Sequence, residues 1–578
     1  MKVPQQSASR YTEILAIGAG LSGIALLSRL QLEYDFTDIH IYERHADSGG
    51  TWWVNSYPGA ACDVPSALYS YSFAQNPRWT CMMPSAREIK AYQDSVAARF
   101  NAGEKMTFRA EAIRAEWLEE KRRWRVSLRN VDTGECWVHE CRILFSCTGA
   151  LVTPNIPEIP GMEEWQGEVV HSARWHPAVQ VKGKRVAVIG NGCTAAQIVP
   201  AIIDDDAALV TQFARSKHYI QRAPYFPINA VTVWVLTHIP LAMRALRFLV
   251  FVVAECGIRF QSMGVVGRVS RWLKRREVVA YMRKMAPERY HADLIPEFEI
   301  GCKRRIMDPG YLISLHSPNV DLINTANNPI HLDPATASIR TASGNSYPTD
   351  LIILATGFKT PDFLPGLEVL GRGGISIRDH WNNNLGGPGS YNCAVNHGFP
   401  NFFVVLGPNH ATGHTSAVMA IENVVDYALK VIEPVLRGSV DVVEVKKEAE
   451  EAYVRRLQKA LGNTVWATGC GSWYTTKSGW NAMSYPWSQA HFWYRCAFVR
   501  KRDWVFSPAK QPRTKVWRRK RSGATVPMVV GLVAAALAGA AVVGARQEGI
   551  TVEELKGITV EGLKNVGEAV LRWVHERL

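Results

Sequence analysis

Cysteine is present, but never in the pattern that a metal site or a disulfide scaffold requires. The eleven cysteines are odd in number and scattered, and no two form a CxxC pair. No metal site is expected on that ground, and a reducing compartment fits better than a disulfide framework. Cys136 and Cys141 do share a C-x4-C spacing, but they lie in the strand-like run "GECWVHECRILFSC", so both are expected to be structural. The opening residues "MKVPQQSASRYTE" lack the apolar core of a secretory leader. Acid is scarce in one place above all: from Arg495 to Arg521, eleven Lys and Arg face a single Asp503. That segment holds +10 of the formal +14 and leaves a near-neutral body, so nucleic-acid binding is not expected. The remainder is ordinary: 578 residues, 47% hydrophobic and 20% charged, room for two or three globular domains.

Glycine appears in a telling arrangement. "TEILAIGAGLSGIALLSRL" reads as a short apolar strand, a turn and a helix, with Gly18, Gly20 and Gly23 forming GxGxxG. These glycines allow a tight turn, a close approach of pyrophosphate to the backbone, and close packing of helix on strand. A second strand, "IHIYE", ends at Glu43, where a carboxylate can accept from a ribose hydroxyl. The pattern recurs in "GKRVAVIGNGCTAAQIVPAI", with Gly190, Gly192 and Ala195 as GxGxxA. There the following strand runs into Arg215-Ser216-Lys217, a cation and hydroxyl suited to the 2′-phosphate of NADP, or else a plain surface basic cluster. One dinucleotide is therefore expected to be FAD and the other NADPH. Two strand-then-turn segments, ending in Thr148-Gly149 and Thr356-Gly357, mark the passages between an outer domain and an inserted one.

The stretch "GGTWWVNSYPGAACD", Gly49 to Asp63, suits neither an amphipathic helix nor an alternating strand and is read as an irregular loop held in one shape. With it the chain resembles the type I Baeyer–Villiger monooxygenases of the flavin-containing monooxygenase superfamily, over residues 11–500. Gly49, Gly50, Trp52, Tyr57, Pro58, Gly59 and Asp63 match the family loop [AG]GxWxxxx[FY]PGxxxD. The family fingerprint FxGxxxHxxxW[PD] appears as "WQGEVVHSARWH", with Gly167, His171 and Trp175 in place and Trp165 and His176 as departures. The resemblance implies that Lys303 in "EIGCKRRIMDPG" binds the NADP 2′-phosphate and that Arg304, with Arg305 adjoining, is the active-site arginine. It further implies that Asp63 orients that arginine and that Trp473 in "GCGSWYTTKSG" touches nicotinamide and substrate. Gly50, Thr51, Trp52, Tyr57, Asp63, Tyr69, Thr194, Gln197, Thr356 and Gly357 join the glycine loops as candidate cofactor contacts. His171 and Trp175 are expected to brace the interdomain linker rather than to react.

The implied reaction uses NADPH to reduce FAD and dioxygen to form a flavin C4a-peroxide, which attacks a ketone and yields an ester or lactone. Negative charge developing on oxygen calls for a permanent cation in a dry pocket, and arginine supplies one that does not deprotonate. The departures at Trp165 and His176 keep open hydroxylation of an amine, a sulfide or another soft nucleophile.

The expected fold class is α/β, with two Rossmann-like dinucleotide-binding domains, the NADP domain inserted in the FAD domain. The FAD domain is expected at 11–150 and 335–500, the latter also supplying substrate-site elements, and the NADP domain at 165–330 with a helical insertion at about 228–295. A basic linker, 501–524, then leads to "TVPMVVGLVAAALAGAAVVGA", Thr525 to Ala545, which carries no charge. Twenty-one residues at about 1.5 Å each match the hydrocarbon thickness, and the basic flank places the catalytic body in the cytosol. A single-pass C-terminal membrane helix is therefore expected, with a buried or peripheral helix as the alternative for this Ala-rich run, followed by an amphipathic tail at 546–578.

Overall fold

The computed structural model describes residues 10–224, 227–360, 362–511 and 516–520. The expected membrane segment at 525–545 and the tail at 546–578 lie outside the described residues. Among the described residues no helix is long and apolar enough to cross a membrane.

The apolar run at the start forms β1 (Arg10–Ile17), and the glycine turn leads into helix α1 (Leu21–Tyr34). Strands β2 (Ile39–Tyr42) and β3 (Met106–Thr107) extend the sheet on one side of β1, all parallel. On the other side the order is β4 (Ala110–Leu118), β5 (Arg123–Asn130) and β6 (Cys136–Ser146), with β6 parallel to β1 and the β4–β5–β6 meander antiparallel. Close packing of turn and helix explains the third glycine: a Cβ on Gly23 would stand 2.2 Å from the Gly18 carbonyl oxygen. Helix α1 is buried along most of its length because it is covered on its outer side by a late helix, described below.

The chain then builds a second sheet. Its strands β7 (Glu168–His171), β8 (Arg185–Ile189), β9 (Leu209–Ala214), β10 (Val320–Asn324) and β11 (Leu351–Leu354) lie in the order β10-β9-β8-β11-β7. All are parallel, and β8 and β11 read as unbroken apolar runs because helices and loops cover both faces. Helix α2 (Cys193–Asp204) follows the second glycine turn. Among the helices between β9 and β10 the three longest are α3 (Ala230–His238), α4 (Ala242–Glu255) and α5 (Val265–Met285), at the place of the expected helical insertion.

One boundary differs from expectation. Residues 335–354 are expected in the returning FAD domain, yet β11 pairs with β7 and β8 in the second sheet. The antiparallel hairpins at 330–348 also belong there, since Leu332 and Ile339 pack on Ala187, Ile189 and Phe213. The return comes after Ala355: β12 (Glu368–Leu370) pairs with β4, and β13 (Phe402–Val404) pairs with the last turn of β6, beyond the point where β5 ends. Helix α6 (Ala417–Leu436) then packs against α1, and α7 (Gln489–Ala497) packs against α6.

Candidate active site

Each glycine turn ends on a bare helix N-terminus. Gly20 caps α1 and Gly192 caps α2, neither offering a side chain to the first N–H groups, and neither helix has an acid in its first turn. Such ends hold backbone donors toward phosphate. At the first turn, the buried Glu43 accepts from the Ala19 and His45 N–H groups, both at 2.9 Å, which fixes the carboxylate against the loop. Each oxygen keeps acceptor capacity for a ribose hydroxyl. The Gly49-Gly50 turn lies against this loop: a Cβ on Gly50 would stand 3.1 Å from the Gly20 Cα. At the second turn, a Cβ on Gly192 would meet nothing within 4 Å, so the space beside the α2 N-terminus is open, while Ala195 is fully buried.

The residues that follow β9 gather cations. Asn191 donates to the Ser216 carbonyl at 3.1 Å and holds that turn beside the glycine loop. Lys303 comes from 87 residues beyond Ser216, and its pKa is lowered by burial and then by the charge of Arg215. Two cations held within mutual influence, with a hydroxyl between them in the sequence, fit a dianionic phosphate that would relieve their repulsion. His218 joins the cluster, its pKa pushed down to about 4 by burial and then by Lys303.

The aromatic loop carries Asp63 to a precise partner. Trp52 donates to the Tyr69 hydroxyl at 3.1 Å, and the two rings meet edge to face at 5.5 Å. Thr51 opens the short helical turn and is exposed. Tyr57 donates to Gln197 Oε1 at 2.8 Å, Gln197 Nε2 donates to the Ala61 carbonyl at 2.9 Å, and Thr194 sits against the same phenol. Tyr57 and Gln197, expected as cofactor contacts, thus spend these polar groups stapling the loop to α2. Burial pushes the Tyr57 pKa up to about 12.

Arg304 Nε donates to Asp63 Oδ2 at 2.8 Å, and Nη2 donates to Oδ1 and Oδ2, each at 2.6 Å. The Asp63 charge raises the Arg304 pKa well above its ordinary value, against the opposing effect of burial. Both side chains are partly covered, with 36% of Arg304 and 25% of Asp63 left accessible. The neighbouring Arg305 turns elsewhere, its guanidinium 5.3 Å from the Phe260 ring. Cys193 and the buried Tyr474 also lie within electrostatic reach of Arg304. Neither was singled out from sequence, although Tyr474 directly follows Trp473. Trp473 itself is 38% exposed and its ring lies 4.4 Å from that of Tyr474, tilted by 45°, while its carbonyl accepts from Thr360 at 2.9 Å.

The two crossover segments run side by side. Thr356 donates to the Asn155 carbonyl at 2.6 Å, and Asn155 N–H donates to the Gly357 carbonyl at 2.8 Å. His171 braces this pair: Nδ1 accepts from Ala173 N–H at 3.1 Å, which leaves the proton on Nε2 to donate to the Gly357 carbonyl at 3.1 Å. Burial lowers its pKa and keeps it neutral, a bracing rather than an acidic role. Trp165 packs in the apolar cluster with Ala187, Ile189 and Phe213 beside the second sheet.

The cysteine expectation needs correction. Cys302 and Cys470 form a disulfide, and the other nine cysteines, Cys136 and Cys141 among them, are free. The bond joins the Arg304 segment to the Trp473 segment across 168 residues. A separation of that size leaves no spacing motif, which is why counting cysteines missed it.

The chain is 33% identical to a Baeyer–Villiger monooxygenase of Pseudomonas aeruginosa over 486 residues, 84% of this chain and 89% of that protein. It is 31% identical to a Baeyer–Villiger monooxygenase of Streptomyces coelicolor, over 83% of this chain and 90% of the relative. The chain belongs to the Baeyer–Villiger monooxygenase family. As a family member it is a monooxygenase that works with FAD and NADPH, and the two bare helix ends are where the residues present fit those dinucleotides. The Baeyer–Villiger fold is shared with a closed crystal structure of cyclohexanone monooxygenase, at TM-score 0.76 and 24% identity, covering 87% of this chain and all of that one. An oxidised steroid monooxygenase bound to NADP aligns at TM-score 0.74 and 25% identity, over 86% of this chain. Two family models also match: an NAD(P)-binding Rossmann-like domain at residues 17–84 and L-lysine 6-monooxygenase/L-ornithine 5-monooxygenase at residues 66–228.

Proposed function

We propose that the chain inserts one atom of dioxygen beside the carbonyl of a bulky apolar ketone, giving an ester or lactone. The bidentate Asp63–Arg304 pair carries this reading, because it joins the flavin-side loop to the segment that also bears the phosphate-binding Lys303. Bound FAD supplies the activated oxygen, and NADPH supplies the reducing hydride. Gly18, Gly20, Gly23 and Glu43 hold the flavin dinucleotide, with Gly50, Thr51, Trp52, Tyr57 and Tyr69 walling it from water. Gly190, Gly192, Thr194, Ala195 and Gln197 frame the NADPH pyrophosphate, Arg215, Ser216 and Lys303 read its 2′-phosphate, and Thr356 and Gly357 line the passage between the domains.

Arg304 presents a fixed positive charge to the oxygen on which negative charge develops. Asp63 holds the guanidinium plane by two parallel hydrogen bonds and offsets the cost of enclosing it. Trp473 closes the substrate side from a loop tied to Arg304 through Cys302–Cys470. The outer FAD domain spans about 11–150 and the region from about 356 to 500, and the NADP domain spans the residues between.

Incubation with NADPH and a panel of cyclic and polycyclic ketones tests this. Ester or lactone formed in step with NADPH consumption is expected, whereas a panel left intact while amines or sulfides are oxidised would sink it. That second outcome has its own support in the match of residues 66–228 to the L-lysine 6-monooxygenase/L-ornithine 5-monooxygenase family. The charge-free run at 525–545, behind its basic flank, supports a single C-terminal membrane anchor with the catalytic body in the cytosol. Release of the full-length chain by alkaline extraction without detergent is the result that removes the anchor.

A further inference from the structure

Helices α3, α4 and α5 expose an apolar surface out of proportion to their length. Among the described residues, twelve of twenty-seven exposed large hydrophobic side chains fall between Val231 and Leu273. Neither α3 nor α4 contains a buried residue, although both are mostly apolar. Patches of this kind on a folded surface mark a docking site.

The two sides of α4 are chemically opposite. Arg247 donates to the Ala67 and Ser70 carbonyls at 2.8 and 2.7 Å and pairs with Glu422 on α6 at 3.2 Å. Glu255, at the other end, accepts from His414 and from the Gln489 and Ala490 N–H groups that open α7. These polar anchors seat one face of α4 on the body. Leu249 and Val253, one turn apart and roughly 200–240° around the helix from Arg247, face away and are 61% and 67% exposed. Trp272 adds an exposed indole on α5, with Arg276 over its ring at 4.8 Å.

Charge selects the occupant. Arg244, Arg268, Arg275 and Arg276 on these helices and Arg259 in the connection between α4 and α5 are exposed, against a single exposed acid, Glu277. Apolar residues set among arginines and tryptophan match the interfacial zone of an anionic bilayer. The surface also continues onto α7, which begins where Glu255 ends α4 and which exposes Trp493 and Tyr494. In sequence α7 leads to Arg500, Lys501 and Arg502 and then to the basic run before the charge-free segment.

We propose that the outer face of α3, α4 and α5 docks on the surface of a membrane containing anionic lipid. The contact lies flat on the headgroup layer and is separate from the C-terminal anchor. Phe260, five residues beyond α4, lies with its ring 5.3 Å from the guanidinium of Arg305, the sequence neighbour of Arg304.

Cys256 offers a native reporter: it is exposed, free and one helical turn beyond Val253. An environment-sensitive fluorophore on Cys256 of the full-length chain, with Cys136→Ser to remove the other exposed thiol, is mixed with vesicles. A blue shift is expected with equal parts phosphatidylglycerol and phosphatidylcholine, and apparent binding about tenfold weaker with phosphatidylcholine alone. The same fluorophore on Cys136 in a Cys256→Ser chain is expected to stay unshifted. Leu249→Glu with Val253→Glu abolishes the Cys256 shift while oxygenase activity on a soluble ketone persists; Arg268→Glu with Arg276→Glu weakens it by about tenfold. Sedimentation with vesicles without a shift at Cys256 overturns the docking face and leaves the C-terminal anchor standing. A shift that needs no vesicles and grows with protein concentration assigns the face to a second copy and also overturns it.

Discussion

Replacing Asp63 with Asn keeps the side-chain shape and removes the charge that Arg304 holds by three contacts of 2.6 to 2.8 Å. The amide presents one acceptor and one donor, so one arm of the guanidinium faces an N–H it cannot accept. Exposed pairs contribute about 0–1 kcal/mol, while breaking a buried pair costs about 3–5 kcal/mol. With Arg304 at 36% and Asp63 at 25% accessible, this pair falls between those limits. A loss of about 2 kcal/mol in the hold on the guanidinium is the expected discount, equivalent to roughly thirtyfold in rate. The assay separates the two halves of the cycle. Anaerobic reduction of bound flavin by NADPH is expected to proceed as in the parent chain, because that step does not need the oriented cation. Ester or lactone per NADPH consumed is expected to fall, with hydrogen peroxide making up the balance. Arg304→Ala should go further, binding and reducing FAD yet oxygenating no ketone. If Asp63→Asn forms product at the parental rate and yield, the electrostatic argument for this pair is wrong.

Arg215→Ala and Lys303→Ala are each expected to weaken NADPH by roughly tenfold to a hundredfold through lost charge-assisted hydrogen bonds, leaving NADH untouched. Equal losses for both nucleotides would remove these cations as readers of the 2′-phosphate. Unfolded without reductant, the chain should titrate nine free thiols, rising to eleven after reduction; eleven at the outset refutes the Cys302–Cys470 bond. Buried His139 and His410 have folded pKa values lowered to about 4, chiefly by burial, below an unfolded value of roughly 6.5. The unfolded chain therefore binds more protons between those values, and stability should fall as pH drops from about 6.5 to 4, by up to about 1.4 kcal/mol per pH unit for each. Urea unfolding midpoints that stay level or rise across that range contradict the assignment.

Local pattern alone determined the two strand–turn–helix units, since a glycine turn between an apolar strand and a helix is written within about twenty residues. It located Glu43 and the Arg215-Ser216 turn for the same reason, and the resemblance of the Gly49–Asp63 loop pointed to Asp63 and Arg304 as partners. Tertiary structure decided everything that depends on groups far apart in the chain. The Asp63–Arg304 contact spans 241 residues, the Tyr57–Gln197 staple 140 and the Cys302–Cys470 bond 168. Neighbouring residues impose no spacing across such gaps. Strand β11 joined the second sheet rather than the first because its apolar run completes a parallel sheet between β7 and β8. The orientation of α4 was decided in the same way: the contacts of Arg247 and Glu255 show which side is seated on the body and which faces out. Periodicity records what one element needs to bury, while the choice of partner is made only when elements compete for the same surface.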